Sequence, residues 1–386
     1  MQSLILQQQQ YTIKIVDRLE KIPAAQWNLI VDEIPFYQSH EFLSIIESVQ
    51  PNIDFRYVLI EQENKIVAAV YAQILDFSYK NLVNYNSSSS SYFKKKIKNY
   101  IAKKSTRLLN LGNVFFTGDT GIISKETDNI ISLLPTVLNQ ITQTIEDRQP
   151  KAFLIANIDM QLENSSKCFS ANNYHPFITE PDLFLNILPQ WNSFEDYMNS
   201  LSSKYKVRTR KILKVSEVIS AKQLTLDELQ FYKNDLEKLY SNVINHVAFN
   251  MATIKIDFFE QVKHLYEEKC TVIAYFLHEK IVSFVCLLHV NDVNLHVHYI
   301  GMDYEVNKPY KLYNRMLLDT VDIGIKKRMQ QIHFGRTATE IKTTIGATPK
   351  PLKAYLKMSN FFLNKLLPYF LKRIQAPIFI TRQPFK

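Results

Sequence analysis

Residues 55–77 read FRYVLIEQENKIVAAVYAQILDF, and residues 270–290 read CTVIAYFLHEKIVSFVCLLHV. Laid with Lys65 over Lys280, the two share Lys-Ile-Val and then set Val70 over Val285. Each places β-rich runs on either side of a short polar turn, the pattern of a hairpin. A match this short is weak by itself, and a true repeat must extend into the neighbouring elements as well.

The residues downstream of each hairpin do repeat. After the first hairpin an apolar strand at 108–116 leads through a glycine-containing loop to a helical stretch at 130–147 and a buried-type strand at 152–158. After the second, 295–300 reads as a strand ending at Gly301, 309–328 as a helix, and 332–334 as the start of another strand. Gly121 to Phe153 is 32 residues and Gly301 to Ile332 is 31. Two copies of one fold, joined head to tail, account for this spacing. Ahead of the second hairpin, Leu229, Tyr232, Leu236, Leu239 and Val243 recur at helical steps behind a Thr225/Glu228 capping box, and a shorter helix spans 257–268. The first copy has a weaker equivalent at 23–48, built on Trp27, Ile30 and residues 42–46. The serine run 87–91 reads as an inserted loop. The boundary falls near Pro181 to Pro189, where Ser193 can cap the next helix, giving an N-terminal domain at 11–185 and a C-terminal domain at 186–386.

A chain of 386 residues is long enough for two full cores, and 46% hydrophobic against 22% charged residues is the balance of a globular protein. The most apolar long run, 272–290, is broken by His278, Glu279 and Lys280, so it is a hairpin and not a membrane span. Residues 1–10 lack the basic start of a secretory signal, which makes a cytoplasmic location the expectation. Cys168, Cys270 and Cys286 are too few and scattered for a disulfide framework or a metal cluster, and no metal is expected. The net charge of +9 is concentrated: residues 341–386 hold nine Lys or Arg and no Asp or Glu. Residues 94–107 carry seven positive charges and 204–214 carry six. Such clusters suit a nucleotide cofactor, an anionic membrane surface or RNA, and they equally suit a solvated face.

Two helices, a hairpin, a strand ending in a turn, a helix and a parallel strand form the element order of GNAT acyltransferases. The duplicated chain resembles the Fem-like, or BioF2-like, acyltransferases of that superfamily. The resemblance is carried by SFEDYMNSLSSKYKVRTRKI (193–212) and by HYIGMDYEVNKPYKLYNRMLLDTVDIGIKKRMQQIHFGRTATEIKTTIGA (298–347), which is similar to the family's strand, loop, helix and FGRxxxExK run. It implies an α/β fold of tandem GNAT-like domains, with mixed, mostly antiparallel sheets flanked by helices. It also implies transfer of an acyl group from a thioester to an amine, with the N-terminal half a degenerate copy and the C-terminal half catalytic. The loop at 304–311 departs from the superfamily's R/Q-x-x-G-x-G/A phosphate loop, having no glycine after Gly301. That leaves open a long acyl-CoA, an acyl carrier protein or an aminoacyl-tRNA as donor. Some Fem-like relatives acylate amines that become lipids, which makes a lipid amine such as a sphingoid base, or an amino acid, an expected acceptor.

The same chemistry nominates residues. A helix N-terminus attracts anions, so Asn307 as cap and Pro309 in the first turn, with Lys308, Tyr310 and Lys311 beside them, mark an expected cofactor site; an ordinary capped helix with exposed lysines has the same text. His296 and His298 alternate on one face of their strand while Tyr299 points to the other. His298 titrates near neutrality in its free form and is the expected base, with Asp303 or Tyr299 next; a hydrogen-bonded sheet histidine is the alternative. Arg336, with Lys342 nearby, follows the last strand and can fork onto a carboxylate or phosphate, while Glu340 could orient it or act as base. Of Lys204, Arg208, Arg210 and Lys211, alternation along an extended segment would place several on one side, to bind phosphate or face solvent. The tail at 358–385 mixes Phe361, Phe362, Leu366, Tyr369 and Phe370 with basic residues only, so it either packs as a terminal helix or meets an anionic membrane. Two rival functions remain: aminoacyl transfer from tRNA to a peptidoglycan precursor, and a non-catalytic module that binds lipid or anionic polymer.

Overall fold

A computed structural model describes residues 3–6, 9–78, 104–159, 163–247, 250–372 and 379–386. The serine run and most of the basic cluster at 94–107 lie outside the described residues. The chain forms two compact units: Met1–Thr179 with Ala248–Ile254 and Pro351–Ala376, and Glu180–Val247 with Lys255–Lys350 and Pro377–Lys386.

The first unit opens with strands β1 (Ser3–Leu6) and β2 (Gln9–Val16) and helices α1 (Ala24–Asn28) and α2 (His40–Val49). The hairpin comes next as β3 (Asp54–Gln62) and β4 (Lys65–Ser78), then β5 (Ser105–Leu111), β6 (Ile122–Ser124), α3 (Thr127–Gln143), β7 (Ala152–Asp159), α4 (Glu163–Ala171) and β8 (His175–Ile178). One face of α3 (Ile130, Leu134, Val137, Leu138, Ile141) packs with Val58, Val70, Leu109 and Ile155 of the sheet in a single apolar core.

The second unit comprises β9 (Asp182–Asn186), α5 (Phe194–Ser200), α6 (Ser203–Val215), β10 (Ile219–Gln223), α7 (Leu226–Phe231), α8 (Lys233–His246) and α9 (Asp257–Leu265). Then come its hairpin β11 (Cys270–Leu277) and β12 (Lys280–His289), β13 (Asn294–Met302), α10 (Tyr304–Tyr310), α11 (Leu312–Lys326), β14 (Gln331–His333), α12 (Thr339–Thr343) and β15 (Thr348–Lys350). Its sheet runs β10-β11-β12-β13-β14-β9-β15, antiparallel except between β13 and β14. The chain then returns to the first unit as β16 (Leu352–Met358) and α13 (Phe361–Leu371). There β16 fits between β7 and β8 in the order β1-β2-β3-β4-β5-β7-β16-β8, where only β5 and β7 are parallel. The architecture is thus mixed α/β: two mostly antiparallel sheets, each flanked by helices.

The hairpins match more closely than their letters do. Both turn in two residues, with Glu63 and Asn64 in one and His278 in the other at positive φ. Both carry a bulge one step after the shared Lys-Ile: Ile60 faces Ala68 while Glu61 faces Ile66, and Tyr275 faces Ser283 while Phe276 faces Ile281. The unpaired residue is Val67 in the first and Val282 in the second, the valines of the shared tripeptide. The registers also align Leu109 with Leu295 and Phe153 with Ile332, since each pair sits on the same neighbours. They place Ile123, not Gly121, opposite Gly301, because the strand expected at 108–116 stops at Leu111.

Several expected elements take another form. Residues 309–328 form two helices, broken at Lys311, whose φ of 53° is left-handed. Residues 204–214 are helical, not extended, as a run of good helix formers favours. The long helix behind Thr225 has the capping box but kinks at Tyr232. The domain division at 185/186 cuts β9, which belongs wholly to the second sheet, and it assigns 351–376 to the wrong unit.

Candidate functional site

The second sheet opens at its one parallel pair. Strands β13 and β14 are paired at Asn294/Gln331, Leu295/Ile332 and His296/His333, and there β14 ends while β13 continues to Met302. Past that point β13 bulges: Val297 faces Leu287 and Tyr299 faces Cys286, so His298 is the extra residue. A bulge bends a strand and re-aims a side chain, and such irregularities concentrate beside active sites. At the equivalent place the first unit has residues 112–121, which leave the sheet and return to it against Tyr71, with Gly112 N on Tyr71 O at 2.9 Å and Tyr71 N on Gly121 O at 3.0 Å. Buried Asp119 staples that excursion, accepting from Gln38 Nε2 at 2.9 Å, Asn113 N at 2.8 Å, Gly121 N at 3.0 Å and the Tyr71 hydroxyl. The place that is a bulge in one unit is a stapled loop in the other.

Around the opening in the second unit the side chains form a connected polar row. The His298 ring packs against Phe258, Tyr299 and His296 at centroid distances of 5.6, 4.3 and 5.7 Å. His296 meets His333 edge-on at 4.4 Å, and His333 stacks on Phe184 at 4.3 Å. His333 Nε2 lies 3.4 Å from Asp182 Oδ2, and Arg336 Nε donates to Asp182 Oδ1 at 2.8 Å. Lys342 Nζ donates to the Arg336 carbonyl at 2.5 Å. Burial pushes the Asp182 carboxyl upward, but His333 and Arg336 outweigh it and hold the group below its ordinary range. Burial lowers Lys342 to about 7 against the opposing pull of Asp182 and Glu180. Glu180 itself is raised by burial, with Arg336 and Lys342 pulling the other way. The row therefore joins a carboxylate, an arginine whose side chain is still 26% exposed and an amine poised near neutrality at the open end of the sheet.

No family model and no curated protein matches the sequence. Solved structures do match: FemX aligns with a TM-score of 0.53 at 9% identity, over 92% of this chain and 100% of that one. The chain has a Fem-like fold. Two further matches are a tandem GNAT protein from the clavulanic acid biosynthesis pathway (TM-score 0.48, 7% identity, 90% of this chain and 99% of that one) and the C-terminal domain of a putative lysylphosphatidylglycerol synthetase from Agrobacterium fabrum (0.44, 8%, 70% and 85%). Identities this low speak of fold alone.

Within the Fem-like fold the nominated residues divide. Arg336 and Lys342 come together, and the residue that orients Arg336 is Asp182, not Glu340. Glu340 instead accepts from Ile380 N at 3.2 Å and lies 3.7 Å from Arg382. Asp303 caps α10 through Glu305 N at 3.0 Å and faces Lys280 at 3.6 Å, a structural task. His298 does not titrate near neutrality: burial lowers it to about 3, so its imidazole is neutral at physiological pH. Tyr299 is held protonated by burial and the neighbouring Tyr240. Asn307 accepts from Tyr313 N at 2.9 Å, occupying one of the first amides of α11 that were expected to face a phosphate. Tyr310 packs on the core, while Lys308 and Lys311 are exposed. Arg208 and Arg210 are exposed on α6, a helix that packs against α10 and α11 through other residues. Among the described residues no group of three or more His, Cys, Asp or Glu is disposed to hold a metal ion.

Sequence reasoning missed Asp182, Glu180 and His333. Asp182 opens a strand whose alternate residues Leu183 and Leu185 are buried, but the flanking Pro181 and Pro189 made the stretch read as a linker.

Proposed function

We propose that the second unit transfers an acyl group from a thioester donor, an acyl-CoA or acyl carrier protein, to an amine. One observation carries the reading: the parallel pair β13/β14 parts at His296/His333, and the bulge at His298 and the Asp182–Arg336 pair stand at that parting. The reaction asks little of a protein. The ammonium first gives one proton to solvent; the amine nitrogen then bonds to the carbonyl carbon, the carbon–sulfur bond breaks, and the nitrogen's second proton goes to the departing thiolate, which leaves as the thiol. A grip on the donor and a fixed approach for the amine must be supplied. Arg336, its fork oriented by Asp182, binds an anionic group of donor or acceptor. Lys342 holds the backbone of Arg336 in place. Lys308, Lys311, Arg208 and Arg210 supply the charge that a glycine loop's amides supply elsewhere, which suits a phosphate-bearing donor. Neutral His298, at the bulge, offers a ring nitrogen beside that parting. The first unit, its corresponding place stapled by Asp119, is the non-catalytic copy. The Fem-like fold supports this assignment.

Long acyl-CoA should raise the melting temperature of the protein, and Arg336→Ala should weaken that protection roughly ten- to a hundredfold in concentration, the worth of one charged hydrogen bond. Equal protection of the variant would remove Arg336 from the site. Protection by charged tRNA instead, falling steeply with salt, would favour the aminoacyl-transfer rival.

A further inference from the structure

Helix α13 wears its apolar side outward. Asn364, Leu367 and Leu371 face inward, and Asn364 ties the helix down through Asn173 O at 2.9 Å and Met358 N at 2.8 Å. Asn360 caps it through Leu363 N at 3.0 Å. The opposite side presents Phe361 and Phe362, 72% and 74% exposed, with Leu366, Tyr369 and Phe370 each more than half exposed. Soluble surfaces rarely gather large aromatics in this way, and a contiguous patch of them marks an interaction site. Lys365 and Lys372 stand exposed among them, and the whole of residues 341–386 lacks any Asp or Glu.

The charge decides the occupant. We propose that α13 lies in the interface of an anionic phospholipid bilayer, with its aromatic side among the acyl chains near the headgroups and its lysines on the phosphates. An apolar side with cationic flanks and no acidic residue is the composition of an interfacial helix, each nearby Lys or Arg adding attraction to anionic lipid. The helix lies on the bilayer and does not cross it: no helix among the described residues is long and apolar enough to span. Membrane docking through α13 is independent of the acyl-transfer reading.

The full chain should co-sediment with vesicles of phosphatidylcholine and phosphatidylglycerol, bind phosphatidylcholine vesicles far less, and lose the difference at high salt. Phe362→Glu/Phe370→Glu should bind the anionic vesicles more than about tenfold more weakly. Its circular dichroism and melting should be unchanged, because both side chains are exposed. Lys365→Glu should weaken binding to anionic vesicles alone. Absence of vesicle binding by the wild type, or equal binding by the double variant, would overturn the proposal. So would a concentration-dependent dimer that the double variant dissolves, since the side would then be covered by a second copy.

Discussion

A carboxylate with only 2% of its side chain exposed stays charged inside a sheet if both oxygens have partners, and Asp182 has Arg336 on one and His333 beside the other. That pair holds the guanidinium in a fixed orientation at the open end of the sheet. Lys342, close by, contributes a pH dependence of its own. Its folded form is lowered to about 7 while the unfolded chain titrates at the ordinary lysine value, so between those limits the unfolded state binds the extra proton. Stability should therefore rise with pH from about 7 toward 10, by at most about 1.4 kcal/mol per pH unit from this group. Urea unfolding at pH 7 and pH 9 would show it as a slope steeper in the wild type than in Lys342→Met. An equal slope in both would mean that Lys342 is protonated throughout.

Among the elements, β13 is the one on which the site depends, and Gly301 sets how closely it lies under α8. A Cβ there would stand 2.2 Å from a ring carbon of Phe284 and 2.8 Å from the Tyr240 backbone nitrogen. Gly301→Ala should cost about 1–3 kcal/mol in urea unfolding, the usual effect of forcing volume into a packed place; a neutral change would mean the helix stands off. The hairpins flanking these elements were readable because alternation, a two-residue turn and the Lys-Ile-Val repeat are all local. The bulge at His298 was not, since it inserts one residue without disturbing the strand's composition. Nor was the break at Lys311, where a lysine takes a left-handed conformation that glycine usually announces. Asp182 was hidden for another reason: its partners are 151 and 154 residues away in His333 and Arg336, a distance no local pattern spans.

At the scale of the molecule, the chain is two copies of one plan, but not two independent lengths of sequence. The pattern of β16, with Leu352, Ala354 and Tyr355 buried, says that a strand is present and says nothing of which sheet receives it. In the structure it fills the gap between β7 and β8, pairing Leu356 with Leu154 on one side and with His175 on the other. A chain ending at Lys350 should therefore leave two open edges in the first unit and lose its cooperative unfolding, with aggregation through those edges. Soluble, cooperatively melting protein from that truncation would show that β16 is dispensable. The direct test of the proposed acyl transfer is chemical. Wild-type protein incubated with acyl-CoA donors of graded length and pooled amines should liberate free thiol in step with amide product, and Arg336→Ala should slow both together while the protein stays folded. No thiol above the uncatalysed rate with any thioester donor, or thiol release that Arg336→Ala leaves untouched, would contradict the assignment of this site.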